Sequence, residues 1–537
     1  MTKAKRNSKK STLFSRLTGF YAIMMSYNLQ KPIEEEVIVG EGELSISHIV
    51  AVARRNAPVR LSDAPAFYDR VNGSRLRFQA ALESGAVIYG VTTGFGGSCG
   101  NRIDAPTAET LARNMLRYHG CGTGAPLSLE ESRAAMFCRL LCFARGYSGV
   151  SWELLEALRD FLNAGISPII PSEGSVGASG DLTPSSYIAA ALTGEREVYY
   201  KGAVMPAAKA IAEAGLSPYK LKPKEALGLV NGTSVMTGIA ALVLHRAENI
   251  LKAGIKSSAM AVHALSGNIY HYLPAIFETK PFPGQRSAAD EIRALLGAPE
   301  SLALNASPEA LQDPYSIRCA PHVFGVLADA LEWAGKWTEI EANSANDNPL
   351  FDPKTGSPLM GGNFYGGHIT MAMDSLKAAL ASVCDLLDRQ LAILVDPRFN
   401  RGLSANLVGT NGATLKLNHG FKGMQITASA LTAEALKAAI PAGIFSRSTE
   451  SHNQDKVSLG TIASRDAARI CELSERVAAV HLLAAAQACE LRGGLEKRPK
   501  IKELVEKTRK ISEFVSEDRP LEKDIERAAK AINEGEI

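Results

Sequence analysis

The chain has 537 residues, 46% of them hydrophobic and 21% charged, and its 59 basic and 56 acidic residues leave a net charge of +3. That near-balance excludes a dedicated nucleic-acid binder, which carries a strong basic excess. No apolar stretch reaches the roughly 20 residues a membrane helix needs.

Few aromatic residues and abundant alanine favour helices over a β-sandwich. The first segment, residues 1–36, is basic and then mildly apolar. Arg16 interrupts its apolar run and no small-residue cleavage site follows, so it is expected to be a disordered tail or an overcalled start, with Met24 or Met25 as the true start. Ala86 to Val91 reads as a short strand, as does Arg196 to Gly202. From His368 to Val395 the residues Ile369, Met373, Leu376, Leu380, Val383, Leu387, Leu391 and Leu394 mark one face of a long helix, closed by Pro397. A second long helix is predicted from about Val457 to Leu491, with Ile470, Leu473, Val477 and Val480 in register and Gly493-Gly494 as its stop. A last stripe, Leu521, Ile525, Ala528 and Ile532, follows Pro520. The fold class is therefore mainly α, a bundle of long helices with active-site loops at the helix ends.

The eight cysteines form no CxxC pair and the ten histidines no HExxH, so a metal-free protein of a reducing, cytoplasmic compartment is expected. Cys138 and Cys142 share one helix face and should be buried. Gly94 to Gly100 misses GxGxxG by one place, has no βαβ setting, and no Gly-Lys-Ser/Thr occurs, so no nucleotide site is expected.

Glu173 to Glu195 reads EGSVGASGDLTPSSYIAAALTGE. Its Ser179 is no hydrolase elbow, because Asp181 stands where G-x-S-x-G needs its last glycine. The plain reading is a turn before a helix, with Asp181 or Thr183 as cap and Pro184 in the first turn. The chemical reading is backbone cyclisation. The Gly180 nitrogen attacks the Ala178 carbonyl carbon, which glycine's small backbone permits, and loss of water and of the Ser179 hydroxyl leaves an electrophilic methylene. The positive end of the following helix favours negative charge developing there.

The surrounding loops decide between these. YGVTTGFG, GSVGASGDLTPSS, LGLVNGTS, QDPYSIRC, NSANDNP, GGNFYG and HNQD occur in this order. Together they resemble the aromatic amino acid ammonia-lyase and aminomutase family, which includes histidine, tyrosine and phenylalanine ammonia-lyases, from about Gly40 to at least Gly494. The resemblance implies the fumarase/aspartase-like bundle of the ammonia-lyases, a MIO-bearing N-terminal domain over 37–230, and a long-helix bundle with C-terminal helices over 231–537. It also implies a homotetramer with active sites shared between subunits. Ala178, Ser179 and Gly180 would form 4-methylideneimidazol-5-one (MIO), with no metal and no nucleotide. Tyr89 would be the base that removes the β-proton, which requires a lowered phenol pKa. Arg318 would bind the substrate carboxylate. Tyr315, Asn231 and Gln312 would complete the hydrogen-bonding ring, and Phe364 would wall the pocket.

Tyr118-His119 occupies the place of the family's side-chain selectivity pair. Phenylalanine enzymes commonly have an apolar pair there, such as Phe-Leu. Histidine enzymes and several tyrosine enzymes have Ser-His, and other tyrosine enzymes His-Leu. His119 suggests a polar ring, while Tyr118 matches none of the three. Gln454 stands where histidine enzymes carry Glu. The resemblance therefore implies tyrosine first, giving p-coumarate and ammonia. Histidine and phenylalanine rank behind it, a catechol ring is possible, and aminomutase or inactive-scaffold readings are the alternatives.

Overall fold

A computed structural model describes residues 36–297, 311–410 and 412–537; the expected N-terminal tail, up to residue 35, lies outside them. The helices that matter are α1 (Ala105–Tyr118), α2 (Leu129–Ala144), α3 (Leu182–Leu192), α4 (Glu225–Val230), α5 (Ser234–Ala264), α6 (Tyr315–Arg318), α7 (Ala320–Ala342), α8 (Gly367–Val395), α9 (Lys422–Ala438), α10 (Gly460–Arg492) and α11 (Glu522–Asn533). At 1.5 Å per residue the 31 residues of α5 span about 46 Å, and α8 and α10 are similar rods. α5 packs along α7, α8 and α10, and α8 along α7 and α10, with α2 against α5.

The periodicity arguments hold. All eight stripe residues of the 368–395 segment are buried, as are Ile470, Leu473, Val477 and Val480. α10 stops at Gly493, whose φ of 74° lies in the left-handed region that favours glycine. Cys138 and Cys142 are buried thiols on α2. Glu197–Tyr200 is a strand that pairs antiparallel with Ala203–Pro206, Val198 opposite Met205.

The expected strand over 86–91 is not there. Residues 86–88 are irregular and 89–91 form a turn. Thr92 and Thr93 fold that turn on itself, accepting the Ile88 and Gly90 N–H groups at 2.8 and 3.0 Å. β-branched side chains that bond back to local backbone compete with a sheet ladder. Among the described residues no helix is long and apolar enough to cross a membrane.

Candidate active site at one end of the bundle

Four helices begin at the same end. α3 starts at Leu182, α5 at Ser234, α8 at Gly367 and α10 at Gly460. The Asp181 carboxylate ties three of these starts together. It precedes α3, accepts the Met236 N–H of α5 at 2.8 Å, and accepts the hydroxyl of Thr461 on α10. Asp181 makes no side-chain cap to α3 itself, contrary to the simplest sequence reading. Burial pushes its pKa up, against these hydrogen bonds and the positive charge of Arg139. The converging N-termini supply further partial positive charge.

The Ala178-Ser179-Gly180 loop lies on that frame. Gly180 pairs with Gly232: the Asp181 N–H donates to the Gly232 carbonyl at 2.8 Å, and the Gly232 N–H donates to the Ser179 carbonyl at 3.0 Å. Gly180 has a φ of 73°, and a Cβ there would stand 2.0 Å from the Gly232 carbonyl oxygen. Position 180 must therefore be glycine on both counts. On the other side, Leu459 and Ser458 N–H groups donate to the Val176 and Gly177 carbonyls. The cradle admits backbone and nothing larger, which fits a group made by joining the nitrogen of residue 180 to the carbonyl carbon of residue 178. Gln454 Nε2 comes within 3.5 Å of Ser179 Oγ.

Two surface loops close over this point. Tyr89 accepts the Gly96 N–H on its phenol oxygen at 2.7 Å. Glu450 accepts the Gly97 N–H at 2.8 Å, and the Asn453 amide at 2.9 Å, which clips the loop bearing Gln454 to the loop bearing Tyr89. Burial raises the Tyr89 pKa, Gly96 opposes it and Glu450 adds to it. The lowered pKa that a base requires is thus not produced by these neighbours.

Tyr118 ends α1 with 52% of its surface exposed and its ring centroid 4.6 Å from that of His119. Burial, then Tyr89 and Glu450, push the Tyr118 phenol up to about 12. Burial and the Arg196 charge bring His119 down to about 4, so its imidazole is neutral at physiological pH. Arg196 braces this helix end by donating to the Leu116 carbonyl and to Ser186 Oγ, which donates to the His119 carbonyl. Asn231 is buried, and its carbonyl accepts from Arg139 at 2.9 Å. Phe364 lies in the loop entering α8, beside Gly366, which packs on Met236 and Thr233.

The remaining expected residues are elsewhere. Gln312, Tyr315 and Arg318 sit where α5 ends: Asp313 accepts the Asn268 N–H and pairs with Arg401, which donates to the Leu265 and Ser266 carbonyls. The guanidinium of Arg318 lies 4.9 Å from the Tyr315 ring centroid, its buried Nε has no hydrogen-bond partner, and Tyr315 is 73% exposed. About 46 Å of α5 separates this group from Ser179 of the same chain.

Sequence reasoning passed over Arg139, Glu450 and Arg196. A lone arginine in the apolar run Met136 to Ala144 was a readable signal. The Gly97 partner of Glu450 and the Leu116 partner of Arg196 are distant in sequence and carry no local pattern. Asn343 and Asn348 hold loops through Leu44 and Gly361.

A sequence model of the aromatic amino acid lyase family matches residues 44–510. A histidine ammonia-lyase of Gloeobacter violaceus is 38% identical over 507 residues, covering 94% of this chain and 98% of that one. Among solved structures, a tyrosine aminomutase from Streptomyces globisporus superposes with a TM-score of 0.87 at 34% identity, over 93% of this chain and 97% of the other. A histidine ammonia-lyase from Trypanosoma cruzi gives 0.85 at 30% identity, over 93% and 94%. The Gloeobacter violaceus relative and a second one, from Treponema denticola at 38% identity over 501 residues, are histidine ammonia-lyases, so they do not support tyrosine as first choice. With the long-helix fold, the ordered loops and a family match over most of its length, the chain belongs to the aromatic amino acid lyase family.

Proposed function

We propose that the chain eliminates ammonia from an aromatic L-amino acid with a polar ring, using MIO formed from Ala178, Ser179 and Gly180. The observation that carries this is the cradle of Gly180 against Gly232, with the Ser179 carbonyl held by the Gly232 N–H. When formed, the group supplies an electrophile for the substrate amine and so makes ammonia a better leaving group.

Tyr89 removes the β-proton from the substrate, with its phenol oxygen fixed by Gly96. Burial raises its pKa, so positive charge must arrive with the substrate and a partner. Arg318 binds the substrate carboxylate as a planar fork, and Tyr315 and Gln312 stand beside it. Because Arg318 and Ser179 lie at opposite ends of α5 in one chain, this reading has the site completed by another copy, in the homotetramer that the family resemblance implies. Asn231 and Phe364 line the MIO side.

The choice of ring rests on Tyr118, His119 and Gln454. A neutral imidazole beside a phenol accepts or donates a hydrogen bond to a substrate hydroxyl, and a buried polar group left unpaired by phenylalanine costs about 1–3 kcal/mol. Gln454 supplies an amide, not a carboxylate, so we favour tyrosine, giving p-coumarate. Histidine is the second reading, supported by the names of the curated relatives and by the Glu450 carboxylate near Tyr118.

Separate incubation with tyrosine, histidine and phenylalanine, following each unsaturated acid by ultraviolet absorbance and each β-amino acid by chromatography, decides among them. Preferred formation of urocanate would overturn tyrosine. β-Amino acid as the main product would make the protein an aminomutase. Ser179→Ala is expected to lose turnover with all three, and full activity in that variant would rule out MIO chemistry.

A further inference from the structure

Arg139 is fully buried on α2, and all its hydrogen bonds go to neutral acceptors. One terminal nitrogen donates to the Gly228 carbonyl at 3.2 Å and to the Asn231 carbonyl at 2.9 Å. Its Nε and other terminal nitrogen have no hydrogen-bond partner. A buried guanidinium with no hydrogen-bonded anion is costly to keep, even with its charge felt by the Asp181 carboxylate, so its position calls for a reason. The Asn231 carbonyl belongs to the same peptide group as the Gly232 N–H, and that N–H donates to the Ser179 carbonyl at 3.0 Å. A line of polarised groups therefore runs from the guanidinium, through one amide, to the carbonyl of the residue that must react. A Cβ on Gly232 would stand 2.9 Å from the donating Arg139 nitrogen and 2.7 Å from the other terminal nitrogen, so the two residues are in contact.

We propose that Arg139 is a positioning residue for formation of the electrophile. It polarises the Asn231–Gly232 amide so that the N–H withdraws charge from the Ser179 carbonyl. The inference rests on the MIO reading above. Two dehydrations are required. In the first, a bond forms between the Gly180 nitrogen and the Ala178 carbonyl carbon, and the Ala178 oxygen leaves as water with the amide protons of residues 179 and 180. In the second, the Ser179 Cα–H and Cβ–Oγ bonds break, a Cα=Cβ bond forms, and the proton and hydroxyl leave as water. As the Cα proton departs, negative charge moves onto the Ser179 carbonyl oxygen, the atom the Gly232 N–H grips. A donor whose own carbonyl is held by a cation is strengthened along the chain of bonds. Arg139 touches neither the reacting atoms nor a substrate.

The test is the mass of the peptide bearing residues 178–180, cut from folded wild type, R139Q and R139K, with the melting temperature of the same samples. Wild type is expected two waters lighter than its sequence. A full-mass wild-type peptide would defeat the MIO reading itself, whatever Arg139 does. Folded R139Q is expected to retain one or both waters, with the dehydrated fraction after a fixed time lowered about tenfold, the size of one lost charge-assisted hydrogen bond. R139K keeps the charge and is expected to recover most of that loss. Folded R139Q that is as fully dehydrated as wild type, with only a lower melting temperature, overturns the proposal, because Arg139 would then serve packing alone. If R139Q does not fold, R139K decides. Dehydration a few-fold slower than wild type after refolding supports the proposal, and an equal rate or a failure to fold overturns it.

Discussion

A phenol makes a demanding base, and in the proposed reaction Tyr89 would meet that demand only with help from outside its own neighbourhood. Its oxygen has one backbone donor, Gly96, against burial and the nearby Glu450 carboxylate. Removing that carboxylate charge should lower the Tyr89 pKa. In Glu450→Gln the alkaline-rising limb of the kcat/KM profile is therefore expected to move to lower pH, while a limb that stays in place would remove Glu450 from the electrostatics of the base. The histidines give a second prediction, with burial again the cause but the shift downward. His119 is held at about 4, and His481, fully buried with Ser257 as partner, at about 3, both by burial first. An unfolded imidazole titrates near ~6.5. Between that value and the folded ones the unfolded chain binds more protons, so stability falls as pH drops from about 6.5 towards 4. His481→Gln should flatten this fall in the urea midpoint; an unchanged slope would mean the imidazole is charged in the fold.

At the scale of elements, the helix N-termini and the glycine contact determine what the 178–180 loop tolerates. Gly180→Ala places a Cβ against the Gly232 carbonyl and a side chain at φ 73°. The conformational cost alone is about 1–2 kcal/mol, and the Gly180–Gly232 pairing must open. Peptide mass is expected to show an unreacted serine in this variant. The long helices were legible in the sequence because burial repeats every three or four residues, and α8 and α10 appear within a few residues of their expected ends. The loop motifs were legible because they are contiguous. The turn at Tyr89 was misread as a strand, because Val87, Ile88 and Val91 look extended while Thr92 and Thr93 bond back to local backbone. Arg139, Glu450 and Arg196 were missed because their significance lies in partners 80 to 353 residues away: the Leu116 carbonyl for Arg196, the Gly228 and Asn231 carbonyls for Arg139, and the Gly97 N–H for Glu450.

At the scale of the molecule, the 31-residue rod of α5 fixes the separation of the two sets of residues. Neither Ser179→Ala nor Arg318→Ala alone should support turnover. When the two variants are unfolded together and refolded as mixed assemblies, some sites regain both an intact residue 179 and an intact Arg318. Partial recovery of activity, up to about a quarter of wild type if subunits mix at random and each site draws these two residues from different copies, is the expected outcome. No recovery would place both residues in one subunit's site.

Gly232, Asp181, Ser458, Leu459 and Arg139, which surround Ala178-Ser179-Gly180, belong to the same chain. Arg318 does not reach them. On the proposed reading, maturation and turnover have different molecularities. A lone subunit, however dilute, would hold what is needed to dehydrate its own backbone, whereas catalysis would wait on encounter. Newly made chains should accumulate first as finished but idle reagents, and the onset of activity should track protein concentration while the loss of water tracks only time.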